Sequence, residues 1–168
     1  HPRQVVQTSF VPKLLSTPEE KLKLLHETGI DHTMVLNFDL NMAALTAREF
    51  MQRILKERLN VAQLVIGYDN KFGHNREESF EDYRRHGQAM GIHVVEAPQF
   101  APDGAHISSS AIRNHLLEGR VKQANALLGY NYSLGGKVVP GFQEGRKMGF
   151  PTANLLVENP QKLLPQNG

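Results

Sequence analysis

Two capping boxes, Thr17-Pro18-Glu19-Glu20 and Thr46-Ala47-Arg48-Glu49, constrain this chain most, since each fixes where a helix begins. In such a box the cap hydroxyl accepts from the third helical amide, and the glutamate returns to the cap's own N–H. Pro18 fits the first helical position, where no amide partner is needed. Leu22, Leu24 and Leu25 give the first helix an apolar face, and Gly29 ends it; Phe50, Ile54 and Leu55 serve the second. Between and after these helices lie strand-like runs. Thr33 to Phe38 reads as a short strand, and Ala62 to Ile66 as a buried strand running into Gly67. About Glu78 to Met90 is helical with Gly91 as its stop, and Ile92 to Glu96 is the next strand. That alternation predicts a three-layer α/β sandwich over residues 1–130, a parallel sheet with helices on both faces.

In parallel sheets ligands gather beyond the carboxyl ends of strands. Two loops are therefore of interest. Leu64-Val65-Ile66 runs into Gly67-Tyr68-Asp69-Asn70-Lys71-Phe72-Gly73, where Asp69 and Asn70 offer hydrogen bonds to a ribose or a base; an Asx turn would also explain the loop. The strand at Val94-Val95 is followed by a Pro/Gly/Asp loop and then Ile107-Ser108-Ser109-Ser110-Ala111-Ile112-Arg113. Hydroxyls at a helix start, with unpaired amides and an arginine one turn in, attract anions. Ser109 or Ser110 can cap the helix and donate to a phosphate, with Arg113 completing a positive wall. An ordinary serine cap with a solvated arginine is the plain alternative.

From Asn131 the pattern changes. Tyr132 to Gly141 is rich in glycine and β-branched residues without a helical period, and reads as the first strand of a β-rich domain at 131–168. It is followed by Gly145-Arg146-Lys147-Met148-Gly149-Phe150-Pro151-Thr152-Ala153-Asn154. Glycines let backbone amides close on a phosphate, Arg146 supplies charge, and Thr152 and Asn154 offer oxygen to a hard cation such as Mg2+.

Composition removes other classes. Nineteen basic against seventeen acidic residues in 168 give a net charge of +2, which suits neither a nucleic-acid tract nor a membrane-surface helix. Cysteine is absent, so disulfides and thiolate chemistry are excluded, in keeping with a reducing cytoplasm. No apolar run approaches spanning length. The eight histidines, among them His74, His86, His93 and His106, have no metal-ligand spacing and read as surface or loop residues. The Glu81-Asp82 and Arg84-Arg85 cluster reads as a solvated helix face.

The decapeptide from Gly145 resembles the flavokinase signature of bacterial bifunctional riboflavin kinase/FMN adenylyltransferases, the FAD synthetases. Ile107 to Arg113 resembles their Ile-Ser-Ser-Thr-x-Ile-Arg element, with Ser110 for threonine, and Gly67 to Gly73 resembles their Gly-Tyr-Asp-Phe-x-Phe-Gly loop, with Asn70 for phenylalanine. His1-Pro2-Arg3 and the spacer from Leu116 to Gly129 are also similar, so the resemblance runs through nearly the whole chain in order. It implies a Rossmann-like nucleotidyltransferase domain at 1–130 and the start of a β-barrel flavokinase domain at 131–168. It also implies two reactions: phosphorylation of riboflavin to FMN by ATP, and adenylylation of FMN to FAD with release of pyrophosphate.

By that resemblance Ser108, Ser109, Ser110 and Arg113 hold a triphosphate, and Gly67, Asp69 and Asn70 border nucleotide or flavin. Gly145, Arg146 and Gly149 shape a second phosphate turn, and Thr152 with Asn154 holds Mg2+ and phosphate. The family's HxGH segment and its kinase glutamate do not occur here. They are expected before His1 and after Gly168, which makes the chain read as a fragment that catalyses neither step alone. The other readings are a non-catalytic nucleotide- or flavin-binding module, and an adenylyltransferase for another small molecule.

Overall fold

The structure, a computed structural model, describes residues 2–7, 9–74, 76–101, 107–141 and 144–167. His1, His106, most of the Pro/Gly/Asp loop and the final Gly168 lie outside the described residues. Along the chain run α1 (Pro2–Val6), α2 (Pro18–Glu27), α3 (Leu40–Ala44), α4 (Ala47–Phe50), a π-helical segment (Met51–Lys56), β1 (Gln63–Gly67), α5 (Phe80–Met90) and β2 (His93–Ala97). They are followed by α6 (Ser109–Leu117), α7 (Val121–Leu128), β3 (Lys137–Val139), α8 (Glu144–Lys147) and β4 (Asn154–Leu156). The chain divides into two units, one of His1–Phe10 with Val35–Gly104, the other of Val11–Met34 with Ala105–Gly168.

The first unit is a β-α-β arrangement. β1 and β2 pair in parallel from Gln63 opposite His93 to Gly67 opposite Ala97, with α5 as the crossover. Met51, Leu55, Ile66, Tyr83, Ile92 and Val94 form its core with Ala47. The Thr46 box forms as expected, with the Thr46 amide 3.0 Å from Glu49 Oε2, and so does a third at Ser79, whose amide is 2.8 Å from Asp82 Oδ2. Gly91 stops α5 in the left-handed region at φ 69°. Gly87 lets α5 lie close on β2: a Cβ there would fall 2.6 Å from the Ile92 carbonyl oxygen. The helix opened by Thr46 continues not as α but as a π turn over Met51–Lys56, and this wider turn keeps Met51, Ile54 and Leu55 all buried.

One strand expectation is corrected. Thr33 to Phe38 forms no strand and pairs with none among the described residues, and Met34, Val35, Leu36 and Phe38 are exposed. The boundary between the units falls inside this run, at Met34 and Val35, and β-branched composition alone makes no strand without a neighbour to pair with. The parallel sheet of the described residues accordingly has two strands.

In the second unit the Thr17 box opens α2 as expected. α6 and α7 pack through Ile112, Leu116 and Ala124, and Leu163 returns to join them. Gly129 ends α7 at φ 75°. β3 and β4 pair antiparallel, Lys137 opposite Leu156 and Val139 opposite Asn154. Lys162 is buried, 6% exposed, and its ammonium bonds Glu20 Oε2 at 2.6 Å and the Leu15 carbonyl at 2.9 Å while lying 4.4 Å from the Tyr132 ring centre. The Tyr132 hydroxyl donates to the Leu163 carbonyl at 2.6 Å. Burial, and then the nearby Glu20 carboxylate, push this phenol up to about 12.

Candidate functional site

At the start of α6 the serines divide their work. Ser108, in extended conformation, is the cap, its hydroxyl accepting from the Ala111 amide at 3.2 Å. This corrects the expectation that Ser109 or Ser110 would cap: the extended backbone that a cap needs falls one residue earlier. Ser109 and Ser110 are thereby left exposed on the first turn, beside amides that have no helical acceptor. Arg113 is half-buried, and its Nε donates to the Lys13 carbonyl at 2.8 Å. Among the described residues its terminal nitrogens have no partner, so the guanidinium is fixed at one edge and open at the other.

The 67–73 loop belongs to the first unit. Gly67 closes β1 and its carbonyl accepts from the Asn70 amide at 2.9 Å, a turn that leaves Asp69 and Asn70 exposed. The far end is fixed by Tyr83. Its ring stacks on Phe72 at 4.5 Å, and its hydroxyl accepts from the Phe72 amide and donates to the Phe72 carbonyl, both at 3.2 Å. Gly73 sits at φ 95° against the Ala47 backbone, where a Cβ would meet the Ala47 nitrogen at 2.5 Å. Phe72, Gly73, Phe50, Leu45 and Phe38 line a mostly apolar cavity of about 230 Å³.

In the second unit the Gly145–Asn154 stretch folds back on itself. The Gly145 carbonyl accepts from the Phe150 amide at 2.7 Å, with Gly149 turning the chain at φ 81°. A Cβ on Gly145 would crowd the Phe150 carbonyl and lie 3.1 Å from Thr152 Oγ1; one on Gly141 would collide with the Asn154 amide. The structure therefore brings Thr152 to Gly145, and Asn154 to Gly141 at the start of β4. Arg146 is exposed in α8. No three His, Asp or Glu residues cluster as metal ligands among the described residues.

Sequence reasoning missed Tyr83 and Lys162. Tyr83 is the lone aromatic in the charged run from Glu81 to Arg85, and that oddity was the available signal. Lys162 carried none, since the hydrogen-bond partners of its ammonium, Leu15 and Glu20, lie more than a hundred residues away. His86 also differs from a plain surface residue: it is half-buried, with Nε2 3.1 Å from Glu78.

A strand-turn-helix loop, a serine-opened helix carrying an arginine, and a glycine-cradled Thr/Asn pair are features of a mixed α/β protein. Comparison makes the class specific: residues 1–111 match the FAD synthetase family and residues 128–168 the riboflavin kinase family, and the chain belongs to the FAD synthetase family. It is 36% identical over 154 residues to the bifunctional riboflavin kinase/FMN adenylyltransferase of Escherichia coli (strain K12), which covers 92% of this chain and 49% of that one. To the enzyme of the same name from Buchnera aphidicola subsp. Schizaphis graminum (strain Sg) it is 32% identical over 167 residues, 99% of this chain and 53% of that one. The chain spans about half the length of the curated relatives it matches. A solved structure described as a macrolide-efflux protein from Streptococcus pneumoniae superposes with a TM-score of 0.87 at 32% identity, covering 100% of this chain and 54% of the other. Among the described residues no helix of this chain is long and apolar enough to cross a membrane.

Proposed function

We propose that this chain forms part of a cytoplasmic enzyme of FAD biosynthesis, with residues 1–130 in a Rossmann-like FMN adenylyltransferase domain and 131–168 opening a flavokinase barrel. The observation that carries this is the start of α6, where Ser109 and Ser110 are exposed beside open amides and Arg113 is held at one edge only. In adenylyl transfer an FMN phosphate oxygen bonds to the α-phosphorus of ATP, the α–β bridging bond breaks, and pyrophosphate leaves with its electron pair. Negative charge grows on the departing oxygens, and there the α6 amides, the Ser108–Ser110 segment and Arg113 act. Gly67, Asp69 and Asn70 border the nucleotide or flavin, and the cavity beside Phe72 offers apolar walls for a ring system.

In the kinase step a ribityl hydroxyl bonds to the γ-phosphorus of ATP, ADP departs, and the hydroxyl proton passes to a base. Gly145, Arg146 and Gly149 shape the phosphate turn. The oxygens of Thr152 and Asn154 are hard but neutral donors, which suits an Mg2+ that arrives with nucleotide phosphates rather than one caged by the protein. Such an ion supplies charge neutralisation at the phosphates. Thr152 and Asn154 set its position by standing where the missing side chains of Gly145 and Gly141 leave room.

The test is an ATP titration followed at the amide signals of Ser109 and Ser110. Arg113→Ala should weaken the affinity read there by about ten- to a hundredfold, since charge-assisted bonds contribute roughly 1.5–3 kcal/mol. Thr152→Ala should leave that value unchanged. An Arg113→Ala protein with unaltered affinity would refute the assignment.

A further inference from the structure

We infer that Lys162 is a positioning residue for Arg113, acting through the segment Lys13–Ser16. The inference rests on the reading of Arg113 as a phosphate ligand. Six hydrogen bonds, all within the second unit, build the connection. Arg113 Nε holds the Lys13 carbonyl at 2.8 Å. The next residue, Leu14, donates to the Gln161 carbonyl at 2.7 Å and accepts from the Leu163 amide at 2.9 Å, a short parallel bridge. Its successor Leu15 gives its carbonyl to the Lys162 ammonium at 2.9 Å. The same ammonium reaches Glu20 Oε2 at 2.6 Å, and that oxygen also accepts from the Thr17 amide at 2.9 Å.

Lys13–Ser16 is thus gripped on one side by Arg113 and on the other by residues 161–163. Pro12, immediately before it, is buried, which limits slack at that end. A guanidinium anchored through Nε can turn its open edge only as far as the anchoring carbonyl allows. Whatever shifts the Lys13 carbonyl re-aims Arg113. Lys162 is the strongest of the grips, because its side chain is 3% exposed and its ammonium is satisfied by a carboxylate, a carbonyl and the Tyr132 ring together. Residues 161–163 fall in the part that matches the riboflavin kinase family, whereas Lys13 falls in the part that matches the FAD synthetase family, whose match ends two residues before Arg113. The segment that matches the riboflavin kinase family therefore holds the aim of Arg113.

Removing Lys162 alone would strand the Glu20 carboxylate, so the informative variant is Glu20→Gln combined with Lys162→Met, with Lys162→Arg as the conservative partner. ATP affinity is read at the Ser109 and Ser110 amides of the chain, in the Arg113 and the Arg113→Ala backgrounds. The double variant should weaken binding about three- to fivefold when Arg113 is present and not at all when it is absent, since coupled residues give non-additive effects. Lys162→Arg should recover most of the loss. An equal loss in both backgrounds, or no loss with Arg113 present, overturns the coupling. If Arg113→Ala itself leaves ATP binding unchanged, the phosphate reading fails instead, and the two failures are told apart. Should the double variant not fold, Tyr132→Phe, which deletes only the bond to the Leu163 carbonyl, must show the same dependence on Arg113 or the proposal falls.

Discussion

At the scale of single residues the most consequential side chains are two phenols whose hydrogen-bond partners sequence patterning does not reveal. Tyr83 is 1% exposed and satisfies both backbone groups of Phe72 with one hydroxyl. Tyr83→Phe keeps the stacked ring and strands those groups, so it should cost about 1–2 kcal/mol in urea unfolding and raise amide exchange at Phe72. Tyr132 gives a prediction about pH. Its folded value, about 12, lies above its ordinary 10.0, so the folded chain holds the phenolic proton more tightly than the unfolded one. Stability from this group is complete below pH 10 and is lost as pH climbs toward 12. Tyr132→Phe should flatten that loss in alkaline unfolding curves, while a Tyr132→Phe protein as alkali-sensitive as the parent would contradict the assignment.

At the scale of elements, local chemistry and long-range packing separate cleanly. Gly87→Ala sets them against each other. Alanine favours the helix by about 1 kcal/mol. The added Cβ, however, would press on the Ile92 carbonyl and Val94, and such overpacking costs about 1–3 kcal/mol. Packing should win, with a net destabilisation of up to about 2 kcal/mol by thermal or urea unfolding. The same division governs what the sequence revealed. The boxes at Thr17 and Thr46, the stop at Gly91, and the strands near 62–66 and 92–96 were legible because a cap or an apolar run is written in neighbouring residues. Thr33 to Phe38 misled because a strand also needs a partner, which composition cannot supply. The serine element was legible as a helix start, but its cap was one residue out, since three adjacent serines offer the same hydroxyl. The grip of Tyr83 on the 67–73 loop and of Lys162 on Leu15 was not legible at all, being made by residues distant in the chain.

At the scale of the molecule, the two units are not consecutive stretches: residues 11–34 fold with 105–168, and residues 35–104 with the first ten. Residue 130 therefore falls inside one of these units and not between them. Ending the chain at Gly129 would remove Tyr132, Lys162 and Leu163 and uncover Ile112 and Leu116. Burying one leucine contributes about 1.5–3 kcal/mol, so α6 and α7 should lose much of their helical circular dichroism on mild heating in that truncation. The buried ammonium of Lys162 also makes the chain its own gauge of integrity. Trypsin must draw a lysine into a deep acidic slot. Arg146 and Lys147 stand exposed and can be taken from the intact molecule, whereas the peptide bond after Lys162 is presented only when the segment from Asn159 to Leu163 lifts away. Under brief digestion the appearance of that second cut, timed against the first, would clock local opening residue by residue, with no label and no ligand.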